Sequence, residues 1–100
     1  MAKVKVASIH DIPEGEVRKV EANGIEIALS HVDGAFHAVQ HQCPHKGGPL
    51  GEGFLEGGVL NCPWHGWRFD VTTGKSKYDE KIKIKTFPVS VQGEDVFVEV

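Results

Sequence analysis

The sequence has only two cysteines in 100 residues, together with a single methionine and a single tyrosine. So few thiols exclude the disulfide framework of a small secreted domain, which normally carries several bridges. No apolar run approaches the roughly 20 residues needed to span a bilayer. The opening Met1-Ala2-Lys3-Val4-Lys5-Val6 alternates lysine with valine, whereas a signal peptide needs an uninterrupted apolar core of about 7–15 residues. A reducing cytoplasm is the expected compartment. Positive charge is not in excess either: a net charge of −3 argues against nucleic acid as the main partner and for a protein. What is present is ordinary for a globular chain, with 40% apolar and 25% charged residues. The length gives room for one domain, residues 1–100, whose modest core a bound cofactor would reinforce.

Helical periodicity is also missing, and no helix of several turns is expected. Lys3 to Ala7 alternates as a strand, and the turn residues Asp11-Ile12-Pro13-Glu14-Gly15 end it. Glu16 to Ala22 and Ile25 to Leu29 flank Asn23-Gly24, and Asp33-Gly34 precedes a further strand, Ala35 to Gln42. Both dipeptides are two-residue hairpin signals. A small hairpin follows, Phe54-Leu55 against Val59-Leu60, turning at Glu56-Gly57-Gly58. Then come Trp67 to Val71, a turn at Thr72-Thr73-Gly74, one long alternating strand over Lys81 to Val91, and Val96 to Val100. Many short strands with glycine turns predict an all-β fold. The expected form is an antiparallel β-sandwich or partly closed barrel, with a unit inserted between its fourth strand and its closing strands.

Both cysteines fall in the chemically informative stretch. Cys43-Pro44-His45 is followed by sixteen residues and then Cys62-Pro63-Trp64-His65, so each of two loops brings one cysteine and one histidine. Two thiolates and two imidazoles can close a tetrahedral zinc site, or they can hold a [2Fe-2S] cluster. Zinc modules usually pair ligands of like type. Here the types are mixed within each pair, which lets each loop clamp both irons of a cluster. A structural zinc-binding module is the alternative of another class. A single Cys43–Cys62 disulfide is disfavoured, because both thiols already lie in a ligand pattern.

Cys43-Pro44-His45-Lys46-Gly47-Gly48-Pro49-Leu50 and Cys62-Pro63-Trp64-His65-Gly66-Trp67-Arg68-Phe69-Asp70 resemble the two cluster loops of the Rieske iron–sulfur family. The resemblance implies the Rieske fold, with a cluster-binding subdomain at roughly 42–80 inserted in the β base. It implies one [2Fe-2S] cluster on Cys43, His45, Cys62 and His65, with the cysteines on the buried iron and the histidines on the outer iron, where electrons leave. With neutral histidines the oxidised centre is formally uncharged, which raises its potential above that of an all-cysteine cluster, into a range of about −150 to +300 mV.

High-potential respiratory members of the family add a second cysteine on each loop, and a serine and a tyrosine that donate to the cluster sulfurs. Their positions correspond here to Gly48, Trp64, Trp67 and Phe69. The chain therefore resembles the soluble, low-potential Rieske ferredoxins. That branch implies an electron carrier, itself no enzyme, between a flavin-dependent ferredoxin reductase and the terminal oxygenase of an aromatic-ring-hydroxylating dioxygenase system. Oxygenases of the family carry an additional mononuclear iron domain. The Rieske-like small subunit of assimilatory nitrite reductase is the alternative, and retention of all four ligands weighs against it.

The remaining residues take plainer readings. Trp64 and Trp67 are expected to pack over the cluster, because aromatics usually serve burial. His41 is read as a surface or capping residue, and His10, His31 and His37 as solvated. Lysines 75, 77, 81, 83 and 85 are read as a solvated strand face or a protected edge, and Lys46 as lying on the rim of a docking face.

Overall fold

In the computed structural model, residues 2–44, 47–64, 66–79 and 81–100 are described. The expectations for His45, Lys46 and His65 lie outside this set. The strands are β1 (Lys3–Ser8), β2 (Val17–Ala22), β3 (Ile25–Val32), β4 (Ala35–Gln40), β5 (Phe54–Glu56), β6 (Val59–Asn61), β7 (Arg68–Asp70), β8 (Thr86–Phe87), β9 (Val89–Gln92) and β10 (Asp95–Glu99), with one 3₁₀ turn at Leu50–Glu52. They form three antiparallel sheets, in the orders β1-β10-β9, β2-β3-β4-β8 and β5-β6-β7.

The two hairpin dipeptides set the central sheet. Asn23 and Gly24 have φ of 51° and 79°, and Asp33 and Gly34 have the same pair of values. That double left-handed geometry matches the twist of the flanking strands. Register follows, with Val20 opposite Ile27 and Leu29 opposite Ala38. Alternation then divides the sheet between two cores. Ala22, Ile27, Leu29, Ala38 and Phe87 pack with Val96 and Val98 of the first sheet. Val17, Ala28 and Val39, on the other face, pack with Leu60 and Phe69 of the third sheet and with Cys43 and Cys62. β3 is consequently buried without interruption from Ile27 to Ser30, as expected of a strand covered on both faces.

The β5-β6-β7 unit sits in sequence between β4 and β8, so the inserted unit lies where the sequence predicts it. Its hairpin pairs Leu55 with Leu60. The long strand over Lys81 to Val91 is corrected. Thr86–Phe87 joins the central sheet, and Val89–Gln92 joins the first sheet. Pro88 stands between them and has no N–H to continue a ladder, while its carbonyl accepts from Glu99 N–H at 3.0 Å. Further back, residues 82–84 lie along 74–76 through Ser76 N–H to Ile82 O at 2.9 Å and Ile84 N–H to Gly74 O at 2.8 Å. Apolar alternation persists across the whole segment, but the sheet it serves changes.

His31 is likewise not solvated. Its Nδ1–H donates to Ile12 O at 2.8 Å, and its ring stacks on Phe36 with centroids 4.2 Å apart. Among the described residues no helix is long and apolar enough to cross a membrane.

Candidate metal centre

β4 leads into the first loop and β6 into the second, and the two loops are built alike. Cys43 N–H donates to Gly48 O at 2.8 Å, and Cys62 N–H donates to Trp67 O at 2.7 Å. Each cysteine thus closes its own loop onto the residue five further along. Four residues after each cysteine stands a glycine in the left-handed region, Gly47 at φ 71° and Gly66 at φ 70°, a conformation glycine adopts without a Cβ penalty.

Polar side chains secure both loops at their bases. Asn61 precedes Cys62 and lies opposite Arg68 across β6 and β7. It is buried, and its Oδ1 accepts from Arg68 Nε at 3.0 Å, while the far end of Arg68 reaches Glu56 at 3.1 Å. In the first loop the equivalent part is played by His41, which sequence reasoning set aside. It is buried; its Nδ1 accepts from Gly51 N–H at 3.1 Å, and its carbonyl accepts from Leu50 N–H at 2.7 Å. The imidazole therefore caps the 3₁₀ turn beyond the loop. Its acceptor role places the proton of the neutral ring on Nε2.

Neither cysteine is in a disulfide and both are buried, in one core with Leu50, Leu60 and Phe69. Trp64 N–H donates to Cys62 Sγ at 3.4 Å. Gly48 makes a cradle for the same sulfur, since a Cβ there would stand 2.7 Å from Cys62 Sγ and 3.3 Å from Trp64 Cβ. Positions 48 and 64, matched by resemblance to the second cysteine pair of respiratory members, do face each other. Buried cysteines outside any disulfide, an N–H aimed at sulfur and a cradle left open by glycine fit a thiolate-bound cluster. Trp67 is half-buried against this core, tilted at 43° to Phe69, as packing predicts. Trp64 is 48% exposed, and its side chain lies against Gly48, where a Cβ would stand 3.4 Å from Trp64 Cδ2.

The turn below β7 is fixed independently. The Thr72 hydroxyl donates to Asp70, and with the Thr72 and Thr73 backbone N–H groups it holds the Asp70 carboxyl below its ordinary value.

The Rieske [2Fe-2S] domain model matches residues 2–88. A ferredoxin component of the naphthalene 1,2-dioxygenase/salicylate 5-hydroxylase systems of Ralstonia sp is 44% identical over 90 residues, covering 89% of this chain and 86% of that protein. A solved structure described as the complex of reduced oxygenase and oxidised ferredoxin in carbazole 1,9a-dioxygenase contains a chain 33% identical with a TM-score of 0.87, covering 96% of this chain and 91% of that one. Sphingomonas yanoikuyae B1 ferredoxin is 29% identical with a TM-score of 0.89, covering 99% of each chain. This chain belongs to the Rieske [2Fe-2S] domain family, and its cofactor is a Rieske-type [2Fe-2S] cluster.

Proposed function

We propose that this chain is a one-electron carrier, taking electrons from a flavin-dependent ferredoxin reductase and passing them to the terminal oxygenase of an aromatic-ring-hydroxylating dioxygenase system. It works in the cytoplasm as a component of an oxidoreductase system and performs no oxygenation itself. The observation that carries this reading is the pair of matched loops, each closed from its cysteine N–H and each delivering one buried cysteine that is in no disulfide. The naphthalene-system relative, 44% identical, is named as a ferredoxin component and supports the same role.

Cys43, His45, Cys62 and His65 are the proposed ligands, within a cluster-binding subdomain at roughly 42–80 of a single 1–100 domain. Among the described residues no group of three or more His, Cys, Asp or Glu could hold a metal, so the thiols need the donors that the motif supplies at 45 and 65. Bound there, the cluster takes up and returns one electron. The chain's own residues set the conditions. Trp64 N–H favours negative charge on Cys62 Sγ. Leu50, Leu60 and Phe69, all fully buried, exclude water from the thiol side. Pro44 and Pro63 restrict the loop backbone at the residue after each cysteine, limiting rearrangement when charge arrives.

Iron and acid-labile sulfide analysis tests the assignment, with two of each expected per chain. Colourless protein that binds zinc stoichiometrically under iron-replete expression refutes it. Replacing Cys62 with alanine is expected to abolish the cluster and speed hydrogen exchange over residues 43–70, because metal binding is coupled to folding.

A further inference from the structure

Beyond β7 the third sheet continues. Asp70 N–H donates to Lys75 O and Lys77 N–H to Arg68 O, both at 2.9 Å, so residues 75–77 run antiparallel to β7. On their other side lie residues 82–84, with Lys75 directly opposite Lys83. The chain passes up β6, over the second cysteine loop, down β7 and up again along 75–77. Residues 78 and 79 therefore lie at the same end of the sheet as that loop.

Ser76 and Ile84 point into the core, and Lys75, Lys77 and Lys83 are exposed. Lys75 and Lys83 form a like-charge pair at directly opposed positions, an arrangement that destabilises a sheet. Edge protection does not account for it, because 75–77 has a neighbouring segment on each side. Several basic side chains elsewhere are held in ion pairs, such as Lys5 with Asp95, Lys19 with Glu26 and Arg68 with Glu56. Among the described residues no lysine of 75–83 makes one. Tyr78, the only tyrosine of the chain, stands 71% exposed next to Lys77. A chain of net charge −3 thus keeps a strip of exposed lysine beside its metal-centre loop, with an aromatic side chain at the upper end.

We infer that Lys75, Lys77, Lys83 and Tyr78 form a docking shoulder for an acidic protein surface on a redox partner. The inference rests on the electron-carrier reading and adds which side of the molecule the partner covers. The lysines steer encounter through their field, and Tyr78 supplies apolar area of the kind enriched in interface cores. The unfavourable lysine pair is retained at some cost in fold stability, as at other functional sites.

The experiment uses reduced, cluster-loaded protein and follows its one-electron oxidation by an acidic blue-copper protein at low salt. The double variant K75E/K77E is compared with K3E/K5E, which makes the same change in net charge on β1. K75E/K77E should lower the second-order rate at least about threefold, with the difference vanishing as ionic strength rises. Its visible spectrum and midpoint potential should match the parent's. The melting temperature of K75E alone should rise, since it places a carboxylate opposite Lys83, whereas K77E also removes a favourable charge from Asp70. An unchanged rate for K75E/K77E overturns the docking shoulder, and so does equal slowing by K3E/K5E. Parent protein that binds no cluster overturns the electron-carrier reading and this inference with it.

Discussion

Gly48→Ala tests the geometry of the metal centre most sharply. A Cβ at position 48 would stand 2.7 Å from Cys62 Sγ and 3.3 Å from Trp64 Cβ. Optimal non-bonded separation is about 3.5–4.0 Å, so the methyl group overlaps the sulfur by roughly 1 Å. Neither neighbour yields easily. Cys62 is buried and tied to Trp67 through its N–H, and Trp64 is anchored by its N–H on the same sulfur. Overpacking of this kind costs about 1–3 kcal/mol. Gly47→Ala is the control: Gly47 has φ 71° and nothing within 4 Å of its would-be Cβ, so it incurs only the left-handed penalty of about 1–2 kcal/mol. The two variants are thus matched in stability, and only one presses on a thiol. Gly48→Ala should bind less iron and sulfide per chain and show altered visible circular dichroism, with Gly47→Ala close to the parent in both. Full cluster content and an unchanged visible spectrum in Gly48→Ala would refute the reasoning.

Other expectations follow from the same geometry. His41→Ala leaves the buried Gly51 N–H without its acceptor and should lower stability by about 1–3 kcal/mol in urea denaturation; a change below about 0.5 kcal/mol would remove the capping role. The Gly34 and Asp33 backbone N–H groups hold the Glu14 carboxyl below its ordinary 4.5. Folding therefore favours the ionised form, and this contribution is complete above pH 4.5 and is lost as pH falls through the lower folded value. Glu14→Gln should flatten the stability profile below pH 4.5, and a profile identical to the parent's would dismiss the contact. Without hydroxyls directed at sulfur, the midpoint potential should lie near the low end of the family range. Trp67→Ser with Phe69→Tyr should raise it by roughly 40–90 mV per new bond, if each favours the reduced state by about 1–2 kcal/mol. Protein-film voltammetry showing a downward shift with the cluster intact would contradict this.

Much of the fold was legible because its signals are local. Asn23-Gly24 and Asp33-Gly34 specify left-handed turns by residue type, and the glycine pair at 57 and 58 marks the β5-β6 hairpin. The four-donor motif was legible because ligand chemistry restricts both residue type and spacing. Alternation reports which side chains face inward but says nothing of which sheet they enter, so Lys81 to Val91 read as one strand although Pro88 divides it. Of the two readings of His41, surface or capping, the capping one holds; the sequence could not choose between them because the burial depends on Gly51, ten residues on, docking against the ring.

Among the described residues, the central sheet separates two cores that share backbone and no side chains. Cys43, Cys62 and Leu50 belong to one of them, and β1, β9 and β10 contribute only to the other, through Ala7, Val89, Val96 and Val98. Local opening energies differ between parts of a protein that pack separately. Stripping the metal should then release one layer while the opposite layer keeps its slow-exchanging amides. The apoprotein becomes a half-ordered species whose remaining core can receive the loops when iron and sulfide return, so cluster insertion starts from a standing template.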